Sequence, residues 1–89
     1  MTSRDFKISN RLGLHARPSA QLTQVASRLH SDVYISRDGR RVNAKSIMGV
    51  MMLAAGYGST VSVEAQGPDE ESAVAAIGAL IDSRFGEPG

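Results

Sequence analysis

The sequence predicts an α+β protein in which a four-stranded, mainly antiparallel sheet carries three helices on one face, an open-faced sandwich. Apolar residues recur at every second position in some segments and at helical spacing in others. These segments follow the order β-α-β-β-α-β-α. The dipeptide Asp38-Gly39 lies between two strand segments, and Asp-Gly is typical of a two-residue hairpin, so those strands run antiparallel. A chain of 89 residues suits one small domain over residues 1–89.

The first third of the chain contains a strand, a loop and a helix. Phe6 and Ile8 fall on one side of a short strand over Asp5–Ser9. A loop over Asn10–His15 follows. Pro18 opens the first helix, because the first helical turn has no use for the N–H that proline lacks. The apolar stripe of this helix consists of Leu22, Val25, Ala26 and Leu29.

Two strands and a short helix come next. Val33 and Ile35 alternate with polar residues in the second strand, and the third strand, Arg40–Asn43, returns after the turn. Ser46 is a favoured N-cap residue and stands directly before the second helix. The apolar stripe of this helix consists of Ile47, Val50, Met51 and Ala54.

The last third contains a strand and a final helix. Gly56 and Gly58 are expected to end the second helix. The fourth strand has its alternating residues at Val61, Val63 and Ala65. The final helix begins around Pro68, Asp69, Glu70 and Glu71, whose acids suit the positive end of a helix dipole. Its apolar stripe consists of Ala73, Val74, Ile77, Leu80 and Ile81, and Gly86 follows its end.

Composition narrows the function classes. The chain has no cysteine, which excludes a disulfide scaffold and thiol chemistry and is compatible with a cytoplasmic location. No apolar run approaches the length of a membrane span, and the N-terminal region lacks the apolar core of a signal peptide, so membrane insertion is not expected. Residues 1–63 carry nine Lys/Arg and three Asp/Glu, and this excess of positive charge is too weak to indicate nucleic-acid binding.

The most informative residue is His15, a lone imidazole just before the first helix. A helix N-terminus presents unpaired N–H groups and a partial positive charge, which together bind anions. Arg17 adds a guanidinium that can contact phosphate oxygens, and the small residues Ala16 and Ala20 leave room for a partner. Neutral imidazole is a nucleophile, and no acid lies nearby in the sequence to repel a phosphoryl group. The alternative is that His15 only caps the helix.

Other candidate sites are weaker. His30 is expected in solvent near the end of the first helix. Two histidines without a cysteine or a suitably spaced carboxylate do not predict a metal site, and no cofactor is expected. Arg37, Arg40 and Arg41 flank the hairpin turn and are interpreted as a solvated rim.

Two segments carry a family resemblance that covers nearly the whole chain. Gly13-Leu14-His15-Ala16-Arg17-Pro18 resembles the active-site signature of the HPr family, small carriers of the bacterial phosphoenolpyruvate-dependent phosphotransferase system. Asn43-Ala44-Lys45-Ser46-Ile47-Met48-Gly49-Val50-Met51 resembles the regulatory-serine motif of the same family, at the family's separation. The order of strands and helices derived above also matches the HPr fold.

The resemblance implies a phosphocarrier with a phosphohistidine intermediate rather than a free-standing turnover enzyme. His15 would accept a phosphoryl group on Nδ1 from phospho-enzyme I and donate it to IIA-type proteins. The guanidinium of Arg17 and the backbone N–H groups of Ala16 and Arg17 would hold the group in transit, since such transfers depend on positioning and charge. A carrier that docks and leaves is expected to be a monomer.

Ser46 has two compatible interpretations. One is an N-cap serine. The other, implied by the resemblance, is a site for an HPr kinase/phosphorylase in a host that has one. A phosphate there would add about −1.5 to −2 charges to the partner-facing surface and weaken docking to enzyme I.

The resemblance implies a docking surface that combines the first two helices. Burial in the core is the commoner outcome for Ile47 and Met51, whereas Met48 and Met52 cannot easily share that face, so some apolar surface is expected to be exposed. The predicted docking residues are Ala20, Gln24, Ile47, Met48, Met51 and Met52.

Three alternatives remain at this point. The segment Asn10–His15 and the tail Ser83–Glu87 resemble nitrogen-branch members of the family (NPr), which do not drive sugar uptake, whereas the Ser46 segment resembles HPr under kinase control. An RNA-recognition module would need aromatic residues on its central strands, where this chain has aliphatic ones. A small-molecule-binding regulatory module would leave the sequence from His15 to Pro18 unexplained.

Overall fold

The computed structural model describes residues 1–87, and these form the predicted order of strands and helices. The elements are β1 (Thr2–Lys7), α1 (Ala16–Ser27), β2 (Asp32–Arg37), β3 (Arg40–Asn43), α2 (Ile47–Met52), β4 (Thr60–Gln66) and α3 (Glu70–Asp82). A short 3₁₀ turn, Arg84–Gly86, follows α3. Within residues 1–87, no helix is long and apolar enough to cross a membrane.

The four strands form one sheet in the order β1-β4-β2-β3, and every pairing in it is antiparallel. The strand that follows α2 therefore enters between the first two strands rather than joining an edge. Because β4 has a partner on both sides and helices on one face, its alternating residues Val61, Val63 and Ala65 are all fully buried. The predicted open-faced sandwich is confirmed.

The β2–β3 hairpin has the turn that its sequence predicts. Asp38 and Gly39 have φ of 50° and 83°, which are the positive values that both central residues of a type I′ turn require. Arg37 and Arg40 pair directly across the turn, so the register is set at the hairpin end.

The core lies between the sheet and the helices. Helix α3 buries the side of its surface formed by Ala73, Val74, Ile77, Gly78 and Ile81. A side chain at position 78 would collide with the ring of Phe6 from β1, so Gly78 lets the helix pack closely on the edge strand. Helix α1 buries Leu22 and Ala26, while Val25 and Leu29 pack at the margin of the core. The predicted stripes of both helices therefore face the core, although Leu29 lies beyond the end of α1 at Ser27.

Element ends differ from the predictions for identifiable reasons. Strand β1 begins at Thr2 rather than Asp5, because its ladder with β4 starts with the pair Thr2–Ala65. Helix α1 begins at Ala16, so Pro18 stands in the first turn as its third residue. Helix α2 ends at Met52, well before Gly56, since Ala54 has the positive φ of 50° that breaks a helix.

Two arginines of the predicted solvated rim hold the end of α2. Nη1 of Arg37 donates to the Leu53 carbonyl oxygen at 3.2 Å, and Nη1 of Arg40 donates to that of Met52 at 3.0 Å. The last carbonyls of a helix have no partner within the helix, and cations are favoured at that end. The hairpin therefore fixes the C-terminal end of α2, and the rim interpretation is incomplete for these two residues.

The loop between β1 and α1 packs against the segment that follows α2. Gly13 has a φ of 67°, and a Cβ built on it would collide with the Ala55 carbonyl oxygen and lie 2.6 Å from the Gly56 Cα. The Leu14 N–H donates to the same Ala55 carbonyl at 2.8 Å. Position 13 thus demands glycine for two reasons, its backbone conformation and the absence of space.

Asp69 joins the start of α3 to the segment that follows α1. Its Oδ2 accepts the His30 backbone N–H at 2.9 Å, and its Oδ1 accepts the Ser31 hydroxyl. The Ser31 hydroxyl, followed by the His30 N–H, lowers the pKa of Asp69 below its ordinary value.

We expect Gly13→Ala to lower the free energy of unfolding by about 2–4 kcal/mol, because it adds a strained φ to a collision with backbone atoms. The matched control is Gly39→Ala, since Gly39 also has positive φ but a Cβ there meets no atom within 4 Å. The control should lose only about 1–2 kcal/mol. Urea unfolding measures both values, and equal losses would show that the contact with Ala55–Gly56 contributes nothing.

We expect the free energy of unfolding to decrease with acid in part through Asp69. A carboxyl whose pKa is lowered by folding contributes stability above its unfolded pKa, ordinarily 3.8, and loses it as the pH falls through the folded value. Unfolding measured from about pH 7 to pH 2 should show a shallower acid slope in Asp69→Asn than in the wild type. Asp82→Asn, at the exposed end of α3, is the control, and an equal change of slope there would contradict the assignment.

Candidate functional site

His15 is the N-cap residue of α1, but its side chain does not cap the helix. Its backbone is extended, with φ −79° and ψ −172°, and no backbone N–H of the helix donates to the ring. The His15 carbonyl accepts the Ser19 N–H at 3.0 Å and so begins the helix. The backbone of His15 therefore begins the helix without its side chain. The ring is 35% exposed and is left available for chemistry.

The loop that precedes α1 is held by buried hydrogen bonds. The Gly13 carbonyl accepts both the His15 N–H at 2.9 Å and the Asn10 side-chain amide at 2.7 Å. The Ser19 hydroxyl, also buried, donates to the Leu14 carbonyl at 3.1 Å. These bonds join the last residues of the loop to the first turn of the helix, so the backbone at His15 has little freedom.

Two backbone amides at the start of α1 are free to bind an anion. The N–H groups of Ala16 and Arg17 have no acceptor within residues 1–87. Pro18 has no N–H, and the next one, that of Ser19, is already bonded to His15. The helix therefore presents two donors beside the imidazole, together with the positive end of its dipole. These are the two residues that the sequence predicts for backbone contacts.

The Arg17 side chain adds positive charge to the same end of α1. It is exposed, and no carboxylate of the described chain lies within 4.0 Å of its guanidinium. An arginine without an acidic partner keeps its five N–H donors for phosphate oxygens. His15, Arg17 and the two amides that have no acceptor within residues 1–87 thus belong to one helix end.

Glu87 lies against His15, and sequence reasoning missed it. Its Oε2 is 2.9 Å from Nε2 of the ring, and its Oε1 accepts the Asn10 side-chain amide at 3.2 Å. The expectation that no acid lies near His15 holds along the chain and is wrong in space. The two residues are 72 positions apart, and no local pattern links them.

The predicted docking residues form an exposed surface on α1 and α2, which pack against each other. Ile47 and Met51 are not in the core, because α2 buries only Val50, and they are 40% and 42% exposed. Met48 and Met52 are exposed as predicted, and on α1 Gln24 is exposed and Ala20 half-buried. Two further apolar side chains, Leu12 and Tyr57, are exposed in the loops near this surface and were not predicted.

Ser46 is the N-cap residue of α2, as predicted, and its hydroxyl is exposed. Its Oγ accepts the Gly49 N–H at 3.1 Å. The adjacent Lys45 donates from Nζ to the carbonyl of Leu29, just beyond the end of α1, at 3.1 Å. Since α1 has 12 residues and is about 18 Å long, Ser46 stands near the opposite end of α1 from His15. The structure does not bring the two residues together.

Comparisons with known proteins identify the family of the chain. Residues 2–83 match the family model described as the PTS HPr component phosphorylation site. A curated relative, the phosphocarrier protein HPr of Cupriavidus necator, is 63% identical over 87 residues, which cover 98% of both chains.

Solved structures of HPr proteins are also similar to this chain. An HPr from Thermoanaerobacter tengcongensis superposes with a TM-score of 0.96 at 45% identity and full coverage of both chains. A structure described as an HPr dimer from the same organism gives a TM-score of 0.78 at 46% identity, with 98% of this chain and 100% of that chain covered. With the family model, the sequence identity and the fold in agreement, the chain belongs to the HPr family of phosphocarrier proteins of the phosphotransferase system.

Proposed function

We propose that His15 is the residue that carries the phosphoryl group. The observation that supports this most directly is the partly exposed imidazole at the start of α1, beside the amides of Ala16 and Arg17, which have no acceptor within residues 1–87. In the accepting step, a ring nitrogen lone pair forms a bond to phosphorus, and the bond between phosphorus and the donor's leaving atom breaks. In the donating step, the same exchange runs toward an atom of the acceptor protein.

The surroundings of His15 suit such a transfer because they stabilise charge without taking part in bonds. Phosphoryl transfer passes through a loose transition state with negative charge on the three equatorial oxygens. The N–H groups of Ala16 and Arg17 and the Arg17 guanidinium can donate to these oxygens. The group stays at the surface, so a second protein can approach it in line.

The partners that we propose are enzyme I as donor and IIA-type proteins as acceptors, in the cytoplasm. The exposed apolar residues of α2, Met48 and Met52 above all, suit a surface that binds several proteins in turn, because methionine adapts to different shapes. The name HPr of the relative at 63% identity favours the sugar branch over the nitrogen branch. We propose that the chain docks as a monomer, although one solved HPr of the family is a dimer.

We further propose that Ser46 regulates docking when phosphorylated by an HPr kinase/phosphorylase. Its hydroxyl is exposed and stands at the start of α2. Because it lies about the length of α1 away from His15, a phosphate there would act on the partner's contact with α1 and α2 rather than on the reacting ring.

We expect enzyme I and labelled phosphoenolpyruvate to give this protein a base-stable, acid-labile phosphate. Because that lability is the signature of a phosphohistidine, the label should disappear in His15→Ala. The control is His30→Ala, which removes the other histidine, exposed near the far end of α1, and should keep the full label. Persistence of the label in His15→Ala would contradict the assignment.

We expect Ser46→Asp to slow phosphate transfer from enzyme I at least several-fold, because a fixed negative charge opposes docking while the N-cap hydrogen bond is kept. Ser72→Asp is the matched control, since Ser72 is an exposed serine in the first turn of α3, outside the α1–α2 surface. Initial rates at limiting concentrations of the chain measure the effect. Equal rates for Ser46→Asp and the wild type would rule out regulation through this position.

A further inference from the structure

We propose that Glu87 is a positioning residue for His15: its carboxylate accepts a hydrogen bond from Nε2–H and thereby holds the neutral imidazole in the tautomer whose lone pair is on Nδ1. The inference rests on the proposed function, which makes His15 the nucleophile. It goes further because it names the residue that selects the reactive ring nitrogen.

The geometry fixes the direction of this hydrogen bond. An ionised carboxylate can only accept, so the nitrogen that lies 2.9 Å from Glu87 Oε2 must carry the proton. A neutral imidazole has one N–H. The other nitrogen, Nδ1, then has the free electron pair that attack on phosphorus requires.

The carboxylate is itself held in place. Its second oxygen, Oε1, accepts the side-chain amide of Asn10 at 3.2 Å, and Asn10 is fully buried. The same amide donates to the Gly13 carbonyl at 2.7 Å. Glu87 is therefore tied to the loop that leads into His15, and the chain from Asn10 to Glu87 to the imidazole resembles the way in which a carboxylate orients a histidine in hydrolase triads.

The three residues before Glu87 have an unusual backbone conformation that places Glu87 against His15. Arg84, Phe85 and Gly86 all have positive φ, of 58°, 55° and 74°. Two of them are not glycine, so this turn costs conformational energy that other contacts must offset. The buried Phe85 ring anchors the turn in the core, and the Glu87 N–H donates to the Arg84 carbonyl at 2.9 Å. Strained turns of this kind occur where the position of a side chain matters.

The contact also suits the charge that develops during transfer. When Nδ1 bonds to phosphorus, the proton stays on Nε2 and the ring becomes cationic. The Glu87 carboxylate can stabilise that cation without taking the proton. It approaches from the Nε2 side, so the carboxylate and the phosphoryl group lie on opposite sides of the ring, which limits their repulsion.

The tautomer can be measured directly in the unphosphorylated protein. At about pH 9, where an imidazole is neutral, the difference between the two ring-nitrogen ¹⁵N shifts of His15 reports the tautomer. We expect the largest difference in the wild type and a smaller one in Glu87→Ala. Glu87→Gln keeps an acceptor oxygen and should retain most of the difference. Asp82→Ala removes one acid from the exposed end of α3 and should match the wild type. An unchanged difference in Glu87→Ala would overturn the proposal.

The second readout is the rate at which enzyme I and phosphoenolpyruvate label each variant. Loss of one hydrogen bond predicts that Glu87→Ala accepts phosphate about 2- to 10-fold more slowly, with Asp82→Ala unchanged. A faster rate in Glu87→Ala would mean that the carboxylate mainly repels phosphate, and would also overturn the proposal. Absence of label in every variant, the wild type included, would refute the carrier function instead, and the ¹⁵N measurement would still decide the role of Glu87.

Discussion

The close contact of the Gly13 loop with the segment Ala55–Gly56 determines the geometry of the site. The Leu14 N–H bonds to the Ala55 carbonyl, and a glycine at position 13 is needed to permit it. This contact sets the start of α1 beside the end of α2. The arginines of the hairpin fix that end of α2 in turn. The position of His15 is therefore set by contacts among the loop before α1, the end of α2 and the β2–β3 hairpin. Under the proposed function, α1 would serve both as a phosphate site and as part of the docking surface.

Groups of opposite charge lie near His15. Arg17 and two free amides lie at the helix start, where they favour an anion. The Glu87 carboxylate lies against Nε2 of the ring. A carrier must bind its phosphoryl group tightly enough to receive it and weakly enough to release it. Under the proposed function, two amides and one solvated guanidinium would hold the group with fewer donors than most helix starts supply, since Pro18 has no N–H.

The spacing of apolar residues and the turn dipeptide predicted most of the fold, because the spacing shows which side of each element is buried. The alternation of Val61, Val63 and Ala65 and the Asp38-Gly39 turn placed β4 and the hairpin correctly. The spacing of apolar residues gave wrong predictions where burial depends on which other elements pack against the helix. The spacing of Ile47 and Met51 is that of a core stripe, yet a helix of six residues that packs through Val50 leaves them exposed. The motif around His15 was visible, but Glu87 was not, because a contact across 72 residues arises only from the tertiary fold.

Under the proposed function, one small surface reacts at His15 and is regulated at Ser46, and the two residues lie far apart on it. The helices α1 and α2 run in opposite directions, since the start of each lies near the end of the other. The proposed sites of reaction and of modification thus lie at opposite ends of the surface formed by the two helices. A charge at Ser46 is too far away, and too strongly screened by water, to change the ring itself. Under the proposed function, it would act only while a partner covers both ends, so its effect would depend on which protein docks.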